Sequence, residues 1–273
     1  MKYIASCSFG KDSIAQIILA YENKEPLDIV LYCEVMFDNE NNISGELPEH
    51  REFIYNIAIP RIKKEFGYKV VVVKSEKDFV KEFHTTIKKG KNKGKIRAFP
   101  IGWKCQINRD CKVTPIHRYY KQLKEPITTY IGIAKDEPKR LERLKANEIS
   151  LLDKYNFTEA MAYELCKKYN LLSPIYNISK RNGCWFCPNQ RKCEIKHLYE
   201  KHPELFNKLV SMHSTPNKAS EHWNRSQTII QIQENLKRGK NNAESNWIIC
   251  WGWFADPGTN KHRYRTRSSR NSR

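Results

Sequence analysis

Short apolar runs alternate with amphipathic stretches over the first 170 or so residues of the chain. Four runs rich in β-branched residues are bounded by polar ones, as is typical of buried parallel strands; they span residues 3–7, 27–35, 68–74 and 127–134. Apolar residues at helical spacing predict helices after residue 13, over 46–66, 76–83 and 114–123, from 136, and over 158–169. Strands that alternate with helices predict an α/β fold with a doubly wound parallel sheet.

The pattern changes at about Leu171. Residues 171–176 lead into a loop that contains a Cys-x-x-Cys sequence, and the stretches beyond it are rich in Lys, Glu, His and Trp. We therefore predict an α/β domain over 1–170 and a small helical C-terminal region over 171–258 that carries a cysteine metal site. Residues 259–273 are basic and almost free of apolar side chains, so we expect a disordered tail there.

The first predicted strand is followed by Ser-Phe-Gly-Lys-Asp-Ser at residues 8–13, and then by a helix. Gly10 lets the backbone approach a ligand closely, and the helix start offers unpaired amides and a positive dipole end. Ser8 and Ser13 add hydroxyls, and Lys11 adds a positive charge, so a phosphate group would fit this turn. The spacing is not that of a Walker A loop. The alternative is an ordinary strand-to-helix turn in which Asp12 and Ser13 are cap residues.

Further polar residues follow other predicted strands at the edge where ligands bind to such sheets. Asp38 comes after the second strand, Gly132 lies at the end of the fourth, and Asp136 and Arg140 come shortly afterwards. An acidic side chain here could hold Mg²⁺ through water, and Arg140 could pair with a phosphate. The alternative is that these residues are helix-cap acids and a surface ion pair.

Nine cysteines argue against a disulfide framework, because the number is odd and we expect a cytoplasmic protein. A Cys-x-x-Cys pair lets two thiolates converge on one metal ion or cluster, so a [4Fe–4S] cluster, a structural Zn²⁺ and a redox dithiol compete as explanations. The cysteines at 7, 33, 166 and 250 lie in apolar patterns and are interpreted as core thiols. The candidate metal ligands are Cys105, Cys111, Cys184, Cys187 and Cys193.

The formal net charge is +19, from 49 basic and 30 acidic side chains. Such an excess favours polyanions, and two tracts, 88–97 and 261–273, concentrate it. We expect them to bind nucleic acid, DNA or tRNA; a general basic bias is the alternative. No apolar run reaches the ~20 residues of a membrane span, and the chain starts with a strand instead of a signal peptide. This predicts a cytoplasmic protein without a membrane partner, and a homodimer is compatible with the sequence.

Residues 8–13 resemble the SxGKDS form of the PP-loop, the pyrophosphate-binding turn of the adenine nucleotide α-hydrolase superfamily. The branch that the chain resembles more closely is the phosphoadenosine phosphosulfate (PAPS) reductase-like one, in the divergent form common in phages and mobile elements. Segments in the family's order carry the resemblance: 45–50 resembles TGxExPET, 131–140 resembles GxRxDExxR, 103–116 resembles the cysteine–arginine–KVxPL segment, and 171–176 with 183–188 resembles GLxxPxY and CxxC.

The resemblance implies an adenine nucleotide α-hydrolase-like fold that binds ATP, or PAPS or adenylylsulfate, with Mg²⁺. It assigns nucleotide binding to Asp38, Gly132 and the loop residues Ser8, Phe9, Gly10, Lys11, Asp12 and Ser13. The catalytic residues would be Lys11, Asp12, Asp136 and Arg140. The chain departs from the family in having Ala134 or Lys135 in place of an arginine, and in lacking the C-terminal ECG[IL]H motif that carries the reductase cysteine.

Three functions are consistent with these features. The first is an ATP pyrophosphatase that adenylates a nucleic-acid or similar acceptor for sulfur transfer, since the CxxCx5C spacing resembles that of iron–sulfur enzymes of DNA phosphorothioation. The second is a PAPS or adenylylsulfate reductase that uses Cys250 or a partner's thiol. The third is a non-catalytic module that binds a nucleotide or nucleic acid.

Overall fold

A computed structural model of the chain describes residues 1–102 and 105–241. Its strands are β1 (Lys2–Cys7), β2 (Ile29–Glu34), β3 (Met36–Asp38), β4 (Ile43–Ser44), β5 (Lys69–Lys74), β6 (Ile127–Ile131) and β7 (Glu148–Ile149). Its α-helices are α1 (Lys11–Glu22), α2 (Pro48–Glu52), α3 (Ile59–Glu65), α4 (Phe79–Phe83), α5 (Thr114–Leu123), α6 (Pro138–Leu141), α7 (Leu151–Lys154), α8 (Glu159–Lys168), α9 (Lys192–Lys201), α10 (Pro203–His213) and α11 (Ile229–Asn241).

Five parallel strands form the central sheet, in the order β5-β2-β1-β6-β7. Side chains alternate between its faces with the strand period of two. Ala5 and Cys7 pack against the core under α1, α3, α7 and α8, whereas Ile4 packs on the opposite face with side chains of α5. Helices therefore cover both faces, which confirms the predicted doubly wound α/β fold.

The order of the strands determines where a ligand site is expected. β1 lies in the centre; the chain continues outwards through β2 and β5, and then crosses over to β6 on the other side of β1. The loops after β1 and β6 consequently diverge from a switch point, the place where open α/β sheets bind ligands. The 8–13 loop follows β1, and Gly132 follows β6.

Two helices contain a π-helical segment just before a proline: Phe53–Ala58 precedes Pro60, and Asn108–Val113 precedes Pro115. Proline cannot donate a backbone hydrogen bond and clashes with the carbonyl four residues earlier, and a wider turn relieves that clash. The carbonyl of Cys111, four residues before Pro115, accepts instead from the Cys33 thiol at 3.4 Å. The α-helix predicted over 114–123 is confirmed as α5 (Thr114–Leu123), and the π-helical segment extends the helical chain upstream of it to Asn108.

The segment after β2 contains the antiparallel hairpin of β3 and β4. Side chains of this hairpin, such as Phe37, form a second core with α4 and with α9, α10 and α11. The helical C-terminal region thus packs on the carboxyl end of β2. Cys250 and residues 242–273, which include the predicted tail, lie outside the described residues. Within residues 1–102 and 105–241, no helix is both long and apolar enough to cross a bilayer.

Candidate functional site

The loop of residues 8–13 is closed on itself by serine hydroxyls. Ser13 Oγ donates to the carbonyl of Gly10 at 2.9 Å and accepts from the amide of Ser8 at 3.2 Å. Phe9 is fully buried in edge contact with Tyr32, yet it adopts φ of 55°, a left-handed conformation that is strained for a bulky residue. The turn is therefore held in an uncommon backbone shape by the core beneath it.

Two residues from the C-terminal region clamp this loop. The Tyr176 hydroxyl accepts from the Lys11 amide at 2.6 Å, at the start of α1, and Asn182 Nδ2 donates to the carbonyl of Ser8 at 2.9 Å. A Cβ on Gly10 would lie 2.9 Å from Asn182 Oδ1 and 3.1 Å from the Tyr176 hydroxyl, so only glycine fits without displacing the clamp. The phenol oxygen occupies a position that an anion oxygen could take at a helix N-terminus.

Lys11 is nearly buried, and its ammonium group is held by two carboxylates. Nζ lies 2.8 Å from Asp12 Oδ1 and 3.1 Å from Glu159 Oε2 on α8. Burial alone would lower the pKa of Lys11, but Asp12 and Glu159 outweigh it and raise that pKa. The pKa of Asp12 is raised as well, mainly by burial. The nearby Lys11 lowers it, whereas the negative charges of Glu159 and Glu137 raise it further.

The residues after β6 join the same network through Glu159 and Glu137. Asp136 Oδ1 accepts from the amide of Glu159 at 3.0 Å, and Arg140 Nη1 donates to both oxygens of Glu137 at 2.6 Å. The structure thus links Lys11, Asp12 and Asp136 through Glu159, whereas Arg140 pairs with Glu137, which acts on Asp12 through its charge. The cap and ion-pair contacts expected as the alternative are present, and a role in holding Mg²⁺ stays a prediction.

Gly132 and Asp38 differ in how they relate to the loop. A Cβ on Gly132 would lie 2.8 Å from backbone atoms of both Asp12 and Ser13, so this glycine lets β6 approach the start of α1. Asp38, in contrast, accepts hydrogen bonds from Glu40 and Asn41 in the turn of the β3–β4 hairpin. These contacts lie within the hairpin turn, so the predicted role of Asp38 in nucleotide binding stays a prediction.

The Cys184–Cys187 segment docks on the hairpin through its aromatic residues. The Trp185 indole donates to the carbonyl of Ser44 at 2.7 Å, and its amide donates to the carbonyl of Gly45 at 2.9 Å. Phe186 stacks on Phe79 with ring centroids 4.2 Å apart. Burial of these rings fixes the loop that carries the two cysteines.

Three of the five candidate cysteines, Cys105, Cys184 and Cys187, line one cavity of about 170 Å³. Cys111 is instead fully buried in the second core, and Cys193 lies in the first turn of α9. Cys105, and not Cys111, therefore lies in the cavity with Cys184 and Cys187. Three thiols in one cavity suit a soft metal ion or an iron–sulfur cluster.

The same cavity is lined by Ser8 and Asn182 from the clamped loop, and by Glu46 and Lys112. Burial raises the pKa of Glu46 to about 7; the Lys112 charge opposes this, and Glu34 reinforces it. Burial, followed by the Glu46 carboxylate and the neighbouring thiolates, raises the pKa of Cys184 well above its usual value. A cation placed among these groups would favour their ionised forms and so lower the pKa values of Glu46 and Cys184.

Sequence reasoning missed five residues of this site: Glu46, Lys112, Glu159, Tyr176 and Asn182. Three of them, Glu46, Lys112 and Tyr176, lie inside segments that carried the family resemblance, and Asn182 directly precedes one, but nothing in their spacing indicates that they meet the loop. A second cavity of about 350 Å³ lies between α9 and α11 and contains Trp223 and Ile195. It is separate from the thiols and the loop.

The basic tract 88–97 forms a hairpin on the surface. Thr86 pairs with Ile96 in an antiparallel bridge, and the amide of Gly94 donates to the carbonyl of Ile87 at 2.9 Å. Arg97 is ion-paired with Glu82. The lysines of this hairpin are all exposed: Lys88, Lys89, Lys91, Lys93 and Lys95.

Comparison with known proteins gives one family. A family model described as the phosphoadenosine phosphosulfate reductase domain matches residues 2–215, which include β1 to β7 and the thiol cavity. No curated protein matches the chain.

Proposed function

Because the chain belongs to the phosphoadenosine phosphosulfate reductase domain family, we propose that it binds an adenine nucleotide and uses it in sulfur chemistry on an acceptor. In the form we favour, it is an ATP pyrophosphatase that adenylates a nucleic-acid or similar acceptor for sulfur transfer. One observation carries this proposal: Ser8 of the nucleotide loop and the thiols of Cys105, Cys184 and Cys187 line the same cavity.

In the first step, an acceptor oxygen attacks the α-phosphorus of ATP. The bond from that phosphorus to the bridging oxygen breaks, and pyrophosphate leaves with the electron pair. Lys11, the amides at the start of α1 and the hydroxyls of Ser8 and Ser13 would stabilise the charge that develops on pyrophosphate. Asp12 and Asp136 would hold Mg²⁺ against the phosphates, because carboxylate oxygens are its preferred protein ligands.

In the second step, sulfide attacks the acceptor carbon: the carbon–sulfur bond forms, the carbon–oxygen bond breaks, and AMP leaves with the electrons of that bond. Cys105, Cys184 and Cys187 would hold a [4Fe–4S] cluster or Zn²⁺ next to this reaction. When bound, a cluster with three protein ligands would supply an iron that can take up sulfide. Lys112 would balance negative charge in the cavity, and Glu46, with a pKa of about 7, can hold or release a proton there.

The test is nucleotide binding by calorimetry and pyrophosphate release with DNA or tRNA as acceptor. Lys11→Met removes the cation that contacts the leaving group, and we expect at least about a 100-fold loss of turnover. Lys63→Met is the matched control, since Lys63 is exposed on α3. No binding of any adenine nucleotide, together with an unchanged Ser13→Ala variant, would contradict the proposal.

The second candidate is a sulfonucleotide reductase, which the description of the matching family favours. It would release sulfite from PAPS or adenylylsulfate with a thiol reductant, without pyrophosphate. The third is a binding module without turnover. Its mark would be nucleotide or nucleic-acid binding that survives both Asp12→Asn and Asp136→Asn.

A further inference from the structure

We propose that Glu49, His197 and His202 form a binding site for a divalent transition-metal ion of the zinc type. Their ligand atoms lie within 4.8 Å of one another, and within the described residues this is the one set of three metal-binding side chains that converges so closely. None of the three lines the thiol cavity, so the site is separate from the cysteines.

The distances are close to those of a metal site. Glu49 Oε1 lies 3.1 Å from His197 Nε2 and 2.9 Å from His202 Nε2. Ligand atoms on a tetrahedral zinc ion with bonds of 2.0–2.2 Å are roughly 3.3–3.5 Å apart. An outward movement of a few tenths of an ångström would therefore admit an ion between them.

The two carboxylate oxygens of Glu49 differ in their hydrogen bonds, and a bound cation would explain the difference. Both imidazoles bond to the same oxygen, Oε1, while Oε2 is buried and has no hydrogen-bond partner among the described residues. A buried carboxylate oxygen without a partner is rare and indicates an ion or a water at the site. A metal ion would bind the carboxylate and release both Nε2 atoms to act as ligands.

Rigid elements hold the three side chains. Glu49 is in the first turn of α2, His197 is on α9, and His202 lies at the bend between α9 and α10. The Glu204 carboxylate is 3.7 Å from Nδ1 of His202, on the side where zinc-bound histidines usually have an outer carboxylate partner.

The donor set selects the kind of metal. Two imidazole nitrogens and one carboxylate suit Zn²⁺ and neighbouring transition ions, whereas Mg²⁺ and Ca²⁺ prefer oxygen ligands alone. Three protein ligands leave a fourth position open to water or a small anion. The side chains of Glu49, His197 and His202 are 34%, 20% and 14% exposed, so an ion can reach the site.

A metal here would link two parts of the candidate site. Glu49 is three residues after Glu46, which lines the thiol cavity, and α9 follows directly on the Cys184–Cys187 loop. The ion would therefore fix the cysteine-bearing region to the loop before α2. This role does not depend on which nucleotide reaction the protein performs.

The experiment is a titration of the full, EDTA-treated chain with Co²⁺ and then Zn²⁺, followed by visible absorption and calorimetry. The spectrum of Co²⁺ bound to the Glu49→Gln variant is subtracted from that of the wild type. We expect the difference spectrum to show the bands of Co²⁺ bound by nitrogen and oxygen, without a sulfur charge-transfer band. Zn²⁺ affinity at this site should fall by more than the roughly 10- to 100-fold that loss of an outer partner costs. His222→Ala, which removes an exposed histidine, should change neither measurement.

His197→Ala provides a second variant, and far-ultraviolet circular dichroism identifies variants that keep the fold. Wild-type protein whose bound Co²⁺ shows only thiolate coordination would overturn the site, as would folded variants that bind Zn²⁺ as the wild type does. If both variants fail to fold, the proposal is decided by the Co²⁺ spectrum of the wild type alone. Because the readout is metal binding, it is independent of nucleotide turnover and so of the proposed function.

Discussion

Glu34 is the last residue of β2 and Glu46 follows β4, and the surroundings of these two carboxyl groups shift their pKa values in opposite directions. Glu34 is fully buried and bonds to Arg51 at 2.8 Å, Tyr55 at 2.6 Å and Lys74 at 2.9 Å. Burial opposes its ionisation, but these partners lower the pKa of Glu34 to about 2. Glu46 is 11% exposed and accepts only a long hydrogen bond from the Tyr32 hydroxyl, at 3.4 Å, so burial prevails and raises its pKa. Ionisation of Glu34 and ionisation of Glu46 should therefore have opposite effects on the stability of the fold.

Glu34→Gln should destabilise the protein at neutral pH by about 2–3 kcal/mol, because it removes a paired buried charge. With a folded pKa of about 2 against 4.5, the ionised carboxylate stabilises the fold above pH 4.5. That contribution is lost as the pH falls from 4.5 towards 2. Urea unfolding at pH 7 and pH 3 measures it, and an equal difference between wild type and variant at the two pH values would contradict the assignment.

Glu46→Gln should do the reverse and stabilise the protein above pH 7, by up to about 3 kcal/mol. With a folded pKa of about 7 against 4.5, Glu46 favours folding below pH 4.5, and the effect is lost as the pH rises through 7. Chemical unfolding at pH 5 and pH 8 tests this. The exposed carboxylate of Glu52 in α2 supplies a control, since Glu52→Gln should show no such pH dependence. A Glu46→Gln variant that is less stable at pH 8 would refute the prediction.

At the scale of single residues, the sequence identified side chains with strong local signals and missed their distant partners. Ser8, Lys11 and Cys184 were proposed as site residues because they sit in short motifs with fixed spacing. Glu159 and Tyr176 meet the loop from 148 and 165 residues away, so their roles depend on tertiary packing. The Glu49 site was missed for the same reason, as its histidines are at least 148 residues distant.

Gly132 governs how closely β6 approaches the first turn of α1. A Cβ there would come within 2.8 Å of backbone atoms, which cannot rotate away as a side chain does. Gly132→Ala should therefore cost about 1–3 kcal/mol of stability and shift the loop of residues 8–13, with weaker nucleotide binding. Thermal unfolding and calorimetry with ATP test this. Gly102→Ala is the control, because a Cβ at Gly102 meets no atom within 4 Å; equal behaviour of the two variants would exclude the packing argument.

The regular elements were predictable because their hydrophobic period is strong. Val30 and Tyr32 of β2 and Ile14, Ile17 and Ile18 of α1 belong to the first core, and Ile29 and Leu31 of β2 pack on the opposite face of the sheet. The β3–β4 hairpin was not predictable, since β4 has two residues and too few side chains to show alternation. The helical turns before Thr114 were hidden as well: Pro115 usually marks a helix start, and the π-helical segment that accommodates it has no sequence signal.

The whole molecule connects its two cores at the candidate site. The first core lies between the sheet and α1, and the second joins the β3–β4 hairpin to the C-terminal helices. The loop of residues 8–13 belongs to the first core through Phe9, and the Cys184–Cys187 segment belongs to the second through Trp185 and Phe186. A ligand in the shared cavity would contact both, so it should stabilise the molecule as a unit.

The distribution of charge over the molecule leads to a prediction about polyanions. The net charge of +19 includes both the five exposed lysines of the 88–97 hairpin and the basic tract 261–273. Replacing the five hairpin lysines by serine should weaken binding of a fluorescent DNA duplex or tRNA. The slope of log K against log salt should become shallower by roughly 2–4.5, since each phosphate contact contributes about 0.9.

The matched control replaces five exposed lysines outside the hairpin by serine: Lys24, Lys63, Lys64, Lys121 and Lys167. Both variants lose the same charge, so an equal loss of affinity would mean that binding follows net charge and that no surface is specific. An unchanged slope in the hairpin variant would exclude the hairpin as a nucleic-acid contact. A shallower slope in the hairpin variant alone would place the acceptor across residues 88–97, because phosphate contacts are the part of binding that salt weakens.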